Sequence, residues 1–302
     1  MLENLEKTFP GFNLGPLSFR LPAGYIMGFI GPNGAGKSTT IKCLLNLSHR
    51  DAGQIRVFGL DSRRDELEIR QLVGYVSEPH PYYQELTVDW TVRFWGRFYR
   101  SWDEGLCYRL LQKFDVPRAK KIKELSKGTR AKLSLALALA LSHRPRLLIL
   151  DEPMAGLDPV ARHDVLQEML AFIQDEEPAV FFSTHLMEDV EKVADYVAVL
   201  HEGKLLLCQE KEELLADWKH LAFSAAYLEE LKPWLKVWRR EGGRCLGVTG
   251  SYRDLLRRRP ELARQLEVGP LNLEDLLLVL ARRETCAGEG TWGVVRKQYV
   301  RR

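Results

Sequence analysis

The chain has 302 residues, 45% of them hydrophobic, which suits one large or two modest domains with a real core and excludes a disordered chain. Its 44 basic and 41 acidic side chains leave a net charge of +3, too balanced to argue by itself for a nucleic-acid binder. Cys43, Cys107, Cys208, Cys245 and Cys286 are scattered with no close pair, which fits neither a disulfide framework nor a zinc site and points to a reducing cytoplasm. Met1-Leu-Glu-Asn-Leu-Glu-Lys7 lacks the basic and then apolar layout of a signal peptide, and no run approaches the roughly 18 apolar residues of a membrane span. Work at a membrane is therefore expected to need another polypeptide that crosses it.

Taken in chain order, residues 24–30 form a short apolar run that ends in glycine-rich sequence and is followed by a helical pattern from Ser38. Gly31-Pro-Asn-Gly-Ala-Gly36-Lys37-Ser38 satisfies G-x-x-x-x-G-K-[ST] with the strand before it and the helix after it that a phosphate-binding loop requires. Small residues let backbone N–H groups approach a phosphate closely, so Gly31, Asn33, Gly34, Gly36 and Thr39 are expected to line the phosphates of a nucleotide. Lys37 is expected to reach the β- and γ-phosphates, and the Ser38 hydroxyl to join the shell of Mg²⁺.

Between residues 82 and 102 the aromatics crowd: Tyr82, Tyr83, Trp90, Phe94, Trp95, Phe98, Tyr99 and Trp102. From Trp90 onward their spacing follows one helical face, which predicts a helical subdomain over about 80–140. The rings are expected to build its core rather than a partner surface, with Tyr82 and Tyr83, outside the stripe, the better candidates for contacts. Leu133 to Leu141 alternates like a strand, yet its Leu and Ala are strong helix formers and predict a buried helix.

Leu147-Leu-Ile-Leu150 delivers Asp151 and Glu152, and Ala179-Val-Phe-Phe182 delivers Ser183, Thr184 and His185. Chemistry-bearing residues at successive strand ends predict an α/β fold with its ligand crevice there. Asp151 is expected to hold Mg²⁺, Glu152 to polarise the attacking water, and His185 to hydrogen-bond the γ-phosphate; apolar strands also end in acids and histidines for structural reasons.

Beyond residue 210 the character shifts. Lys211 to Arg302 carries 18 basic against 13 acidic side chains, so the positive excess is C-terminal. Leu221-Ala-Phe-Ser, a helix-like Tyr227 to Arg239 and Arg244-Cys-Leu-Gly-Val-Thr predict a small α/β appendage over 211–285, followed by a flexible tail over 286–302. Arg257-Arg-Arg-Pro260 and the residues after Thr285 read as a solvated charged face, with acidic phospholipid or nucleic acid as the other possibility.

These motifs fit many phosphate-loop enzymes; one segment separates them. Leu125-Ser126-Lys127-Gly128-Thr129, between the phosphate loop and the acidic strand, resembles the LSGGQ signature of ABC ATPases. The resemblance covers about residues 1–210 and implies the phosphate-loop NTPase core of the ABC type. In that family the signature of one subunit, here Ser126 and Gly128, closes on the γ-phosphate held by the other, so hydrolysis needs a head-to-tail dimer. Pro153 to Pro159 resembles the stretch running into the D-loop, with Asp158 near the dimer seam. Phe9 resembles the aromatic that stacks on adenine, with Phe12 a nearby competitor and a plain core role open for either. Glu78 stands where most members carry the Q-loop glutamine and would still ligate Mg²⁺.

Glu78, Lys127 and Thr129 make the chain similar to YtrB-type bacterial subunits that serve ABC-2 type permeases, and Leu271 to Leu280 is similar to their closing helix. The implied partners are a second ATP-binding subunit, identical or a paralogue, and a separate membrane permease, reached from the cytoplasmic face. A soluble ABC ATPase acting on nucleic acid is the rival reading. Only residues 39–124 separate loop from signature, without the sustained heptads of such relatives, so no nucleic acid is expected. A non-catalytic module is the third; Lys37, Ser38, Asp151, Glu152 and His185 are all present against it.

Overall fold

The computed structural model describes residues 1–77, 80–100, 102–140, 145–175 and 177–281. The chain folds as two units, Met1–Cys208 and the residues from Gln209 on. The first runs β1 (Leu2–Phe9), β2 (Phe12–Phe19), β3 (Ile26–Ile30), α1 (Lys37–Leu44), β4 (Ala52–Val57), β5 (Leu60–Asp61), α2 (Glu66–Leu72) and β6 (Val73–Val76). It continues through α3 (Val88–Gly96), α4 (Glu104–Lys113), α5 (Lys127–Leu139), β7 (Leu147–Asp151), α6 (Pro159–Phe172), β8 (Ala179–Thr184), α7 (Met187–Val193), β9 (Tyr196–His201) and β10 (Lys204–Glu210).

The apolar β3 and β7, the latter ending in Asp151, are buried end to end, as parallel strands covered on both faces must be. They form the centre of a six-stranded sheet ordered β10-β9-β3-β8-β7-β6, in which β9, β3, β8, β7 and β6 pair parallel. A second sheet, β2-β1-β4-β5, is antiparallel. One core lies between them: Leu5, Leu17 and Ile55 from the antiparallel sheet meet Phe29, Ile149 and Phe181 from the parallel one. Phe19, Phe29 and Phe181 have ring centroids 5.3–5.9 Å apart, so each ring is in contact with the other two.

The helical subdomain differs from expectation in which face of α3 is inside. Its core is aliphatic: Val88, Val92, Cys107 and Leu111 are fully buried. The aromatics at i, i+4 spacing stand outside instead, with Trp90 40% and Phe98 61% exposed, and Tyr83 60% exposed against them. Tyr82, expected to be available for contacts, is turned in. Its hydroxyl donates to Ser134 Oγ on α5 at 2.8 Å, its ring stacks on His80, and burial pushes its pKa up. Ser134 Oγ also donates to Arg130 O at 2.9 Å and lies 2.9 Å from His80 Nδ1, so the segment after β6 is moored to α5. Leu133–Leu139 is helical, as propensity predicts.

The second unit comprises α8 (Lys211–Asp217), β11 (Lys219–Ser224), α9 (Leu228–Leu231), β12 (Leu235–Glu241), β13 (Arg244–Thr249), α10 (Tyr252–Arg258), α11 (Pro260–Ala263), β14 (Glu267–Pro270) and α12 (Leu273–Ala281). The helix expected over Tyr227 to Arg239 is only half helical. Pro233 stops it, and Leu235-Lys-Val-Trp-Arg alternates with period two and becomes β12. From β11 to β14 the unit has the βαββαβ order of ferredoxin-like modules, with sheet order β12-β13-β11-β14. Leu221 and Phe223 on β11 pack with Leu231, Leu255 and Leu262. The opposite face carries His220, whose Nε2 lies 3.6 Å from Asp275 Oδ2 on α12, both side chains 7% exposed.

Two outcomes follow from these buried polar groups. Tyr82→Phe is expected to destabilise the first unit by about 1 kcal/mol in denaturant unfolding, because it removes one buried hydrogen bond at constant shape. Burial holds the His220 pKa below its ordinary 6.5, outweighing the attraction of Asp275. The unfolded chain then binds a proton more readily than the folded one below about pH 6.5, so stability is full above that value and falls as pH drops towards the folded pKa. Hydrogen exchange in α12 is expected to lose protection as pH falls below about 6.5, and to lose less of it in His220→Gln.

Candidate functional site

Strand register brings the chemistry together. Ile30 of β3 lies level with Thr184 of β8, and Asp151 of β7 with Ser183, so the loop after β3, the acid pair after β7 and His185 after β8 leave the sheet side by side. That edge is where an open α/β sheet holds its ligands.

The phosphate loop joins β3 to α1. Gly31 and Ala35 are buried, while Asn33 and Gly34 are exposed. Gly36 caps α1 at φ 108°, and a Cβ there would stand 2.6 Å from Leu14 Cδ1 and 3.1 Å from Phe12 Cζ, so no other residue serves. The first intrahelical bond runs from Thr40 N–H to Gly36 O at 2.9 Å. The N–H groups of Lys37, Ser38 and Thr39 precede it and form the cradle a helix N-terminus offers an anion. Lys37, 6% exposed, curls back so that Nζ donates to Gly31 O at 2.8 Å and Pro32 O at 3.2 Å, and it stands 3.1 Å from Glu152 Oε1.

Asp151 is equally buried. Its Oδ1 accepts from Ser38 Oγ at 3.1 Å and from Ser183 Oγ at 2.6 Å. Ser183 Oγ accepts the Glu152 N–H at 3.0 Å as well, so one hydroxyl serves both acids. Glu152 itself is left-handed at φ 50°, uncommon for a residue with a side chain, and its Oε2 lies 2.8 Å from His185 Nδ1. On β6, burial and then the Asp151 charge push the Tyr75 phenol up. Ser38 and Asp151 are hard oxygen donors in contact, and among the described residues Asp151 is held by hydroxyls rather than by a cation, a set that fits Mg²⁺. Glu78 lies outside the described residues. Ser183 was the residue sequence reasoning left without a role, since a strand-end serine carries no motif of its own.

The signature stands apart from this crevice. Ser126 is exposed and caps α5: its Oγ accepts the Thr129 N–H at 3.1 Å and lies 2.8 Å from the Thr129 hydroxyl. Gly128 is buried, and a Cβ on it would meet Ala161 Cβ at 3.3 Å and Asp158 Oδ2 at 3.6 Å. Asp158 caps α6, accepting from Val160 N–H at 3.0 Å and Ala161 N–H at 2.9 Å, and the Ala161 bond is the main reason its carboxyl stays below the usual range. Phe9 and Phe12 are cross-strand partners at the β1–β2 turn; Phe9 is 39% exposed beneath the Lys7 ammonium, 5.3 Å away, whereas Phe12 packs under Gly36.

A model of the ABC transporter family matches residues 14–155. The ATP-binding protein YtrB of Bacillus subtilis (strain 168) is 30% identical over 218 residues, 72% of this chain and 74% of the relative. The Nod factor export ATP-binding protein I of Rhizobium johnstonii is 30% identical over 302 residues, 94% of each chain, and the bacitracin transport ATP-binding protein BcrA of Bacillus licheniformis is 32% identical over 63% of this chain and 62% of its own length. Among solved structures, an ATP-binding subunit of an ABC transporter superposes with a TM-score of 0.64 at 28% identity, covering 71% of this chain and 91% of that one. The dimeric cassette MJ0796 shares the fold at a TM-score of 0.63 and 21% identity, covering 69% and 97%. With the phosphate loop, the signature and the strand-end acids in that order on an ABC-type phosphate-loop fold, the chain belongs to the ATP-binding, ATP-hydrolysing subunits of ABC transporters.

Proposed function

We propose that this subunit powers a separate membrane permease of the ABC-2 kind in the export direction, by closing head to tail on a second copy or a paralogue around ATP and reopening after hydrolysis. The supporting observation is a division of labour on the surface. Lys37, Ser38, Asp151, Glu152, Ser183 and His185 form one connected hydrogen-bonded and ion-paired cluster, whereas Ser126 is exposed at the N-terminus of α5 among D-loop neighbours. A triphosphate in the loop is thereby lined on one side, and an exposed, polar helix N-terminus is the surface that completes it from another copy. Relatives named for Nod factor export and bacitracin transport support the export sense.

Within the site each group has a separate task. Lys37 exchanges its carbonyl and Glu152 partners for the β- and γ-phosphate oxygens of ATP. That exchange releases Glu152 Oε1 to accept a proton from the attacking water, while His185 holds Oε2 and then reports on the γ-phosphate. Ser38 and Asp151, with Glu78 as a further candidate, would hold Mg²⁺, which supplies charge neutralisation between the phosphates. Phe9 offers the freer ring for adenine. Tyr83, within the stretch from Glu78 to Thr87, forms with Trp90, Phe94 and Phe98 the apolar seat for the permease, which would place the subunit at the cytoplasmic face of the membrane.

Glu152→Gln is expected to cut ATP turnover by about a hundred-fold or more while ATP still binds and the dimer persists in size-exclusion chromatography. Hydrolysis at the parental rate would overturn the assignment of the base. Trp90→Ala with Phe94→Ala is expected to abolish co-purification with the permease and leave the basal ATPase rate unchanged. Retained co-purification of the double variant would remove the aromatic strip from the interface.

A further inference from the structure

The signature of this chain departs from its family pattern by a lysine where glycine is usual, and that lysine has a position with consequences. Lys127 is the first residue of α5. A cation is electrostatically unfavourable at a helix N-terminus, and no acidic residue in the first turn offsets it. Its side chain runs across the turn that leads from Glu152 to Asp158. A Cβ built on Gly156 would stand 2.8 Å from Lys127 Nζ and 3.4 Å from both Cδ and Cε. Gly156 is left-handed at φ 68°, a backbone conformation that favours glycine, and the end of the Lys127 side chain lies in the space a side chain there would take.

On the same surface Gly128 abuts Ala161, Asp158 and Leu157, and one turn further on Lys132 Nζ pairs with Asp164 Oδ2 of α6 at 2.7 Å. The signature turn thus meets the D-loop turn at Lys127 and at Gly128, and the helices that follow them are tied at Lys132 and Asp164.

We propose that Lys127 is a positioning residue: its aliphatic stem lies as a bar across Gly156 and makes the signature and the D-loop present themselves to the second copy as one surface. This rests on the reading of the chain as a subunit that dimerises on ATP. A short residue at 127 leaves the Gly156 turn uncovered, and the two segments then meet the partner independently. The contact is made by methylene groups as well as by the ammonium, so an uncharged chain of similar length preserves it. That separates the bar from a simple charge on the incoming triphosphate.

The test is a kinetic comparison on the full chain with ATP and Mg²⁺. Lys127→Gly is expected to lower kcat about ten-fold with the KM for ATP changed less than two-fold, whereas Lys127→Met keeps at least half of the parental kcat. Lys127→Met as slow as Lys127→Gly would overturn the proposal in favour of the charge. A double-variant cycle provides the second measurement. Gly156→Ala is expected to cost several-fold more kcat in the parental background than beside Lys127→Gly, where the collision is gone and only the backbone strain remains. Strictly additive losses would show that the two residues do not act through each other. Binding of a fluorescent ATP analogue, unchanged across the variants, confirms that the phosphate loop is intact. If the parental chain itself shows neither ATP turnover nor ATP-dependent dimers, the reading of its function fails rather than the bar.

Discussion

The carboxylate of Asp151 is the constraint on which the site turns. One of its oxygens receives a hydroxyl from Ser38, 113 residues away in the chain, and another from Ser183, 32 residues away. Three elements that the topology merely makes neighbours are thereby fixed at atomic distance: the start of α1, the end of β7 and the end of β8. A buried acceptor left without these donors would cost on the order of 1–3 kcal/mol, so the register of the parallel sheet and the placement of the phosphate loop are enforced by one atom. Glu152 inherits the arrangement. Its left-handed backbone costs of order 1–3 kcal/mol, offset by the bond of its N–H to Ser183, and the result is a carboxylate aimed between Lys37 and His185.

Much of this was legible because the chemistry is local. The phosphate loop is eight consecutive residues, and each strand announces its end by an apolar run giving way to acids or hydroxyls. What the sequence concealed was which way a face turns. The spacing of Trp90, Phe94 and Phe98 established one helical face, but periodicity is silent on whether the face is covered. The aliphatic residues Val88 and Val92 took the inside, where Cys107 and Leu111 of α4 are also fully buried. Tyr82 went in for a different reason, the availability of a serine on α5 at hydrogen-bonding distance. β12 was concealed because the window Tyr227 to Arg239 averages a helix and a strand, with Pro233 in its middle marking the change.

Charge shows the same difference between composition and placement. The C-terminal positive excess does not reside in the folded second unit: residues 211–281 hold 12 basic and 11 acidic side chains, and the rest of the excess belongs to 282–302, outside the described residues. Within the unit the arginines are largely matched. Arg253 pairs with Asp217 at 2.6 Å and Arg259 with Glu230 at 2.7 Å, while Arg257 pairs with Asp254. Exposed pairs of this kind add little stability, yet they cancel the field that would attract an anionic surface. In the segment Arg257 to Pro260, Arg257 and Arg259 are thus paired within the unit.

The first unit supports its two chemical surfaces in different ways, and this bears on how it can work. The phosphate loop and the acids stand on the central strands of a sheet buried on both faces, where any shift would break the bonds to Asp151. The signature stands on α5, whose polar ties run to α6 through Lys132 and Asp164 and to the segment after β6 through Ser134 and Tyr82. Lys113 of α4 adds a further pair with the buried Glu168 of α6. α5 is thus bonded at once to α6 and to the segment beside the exposed aromatic strip, whereas the polar contacts of Asp151 run to Ser38 and Ser183 at the ends of strands and the start of α1. The two surfaces therefore rest on different sets of bonds, and which set each belongs to follows from the helix or strand that each hydroxyl and lysine reaches.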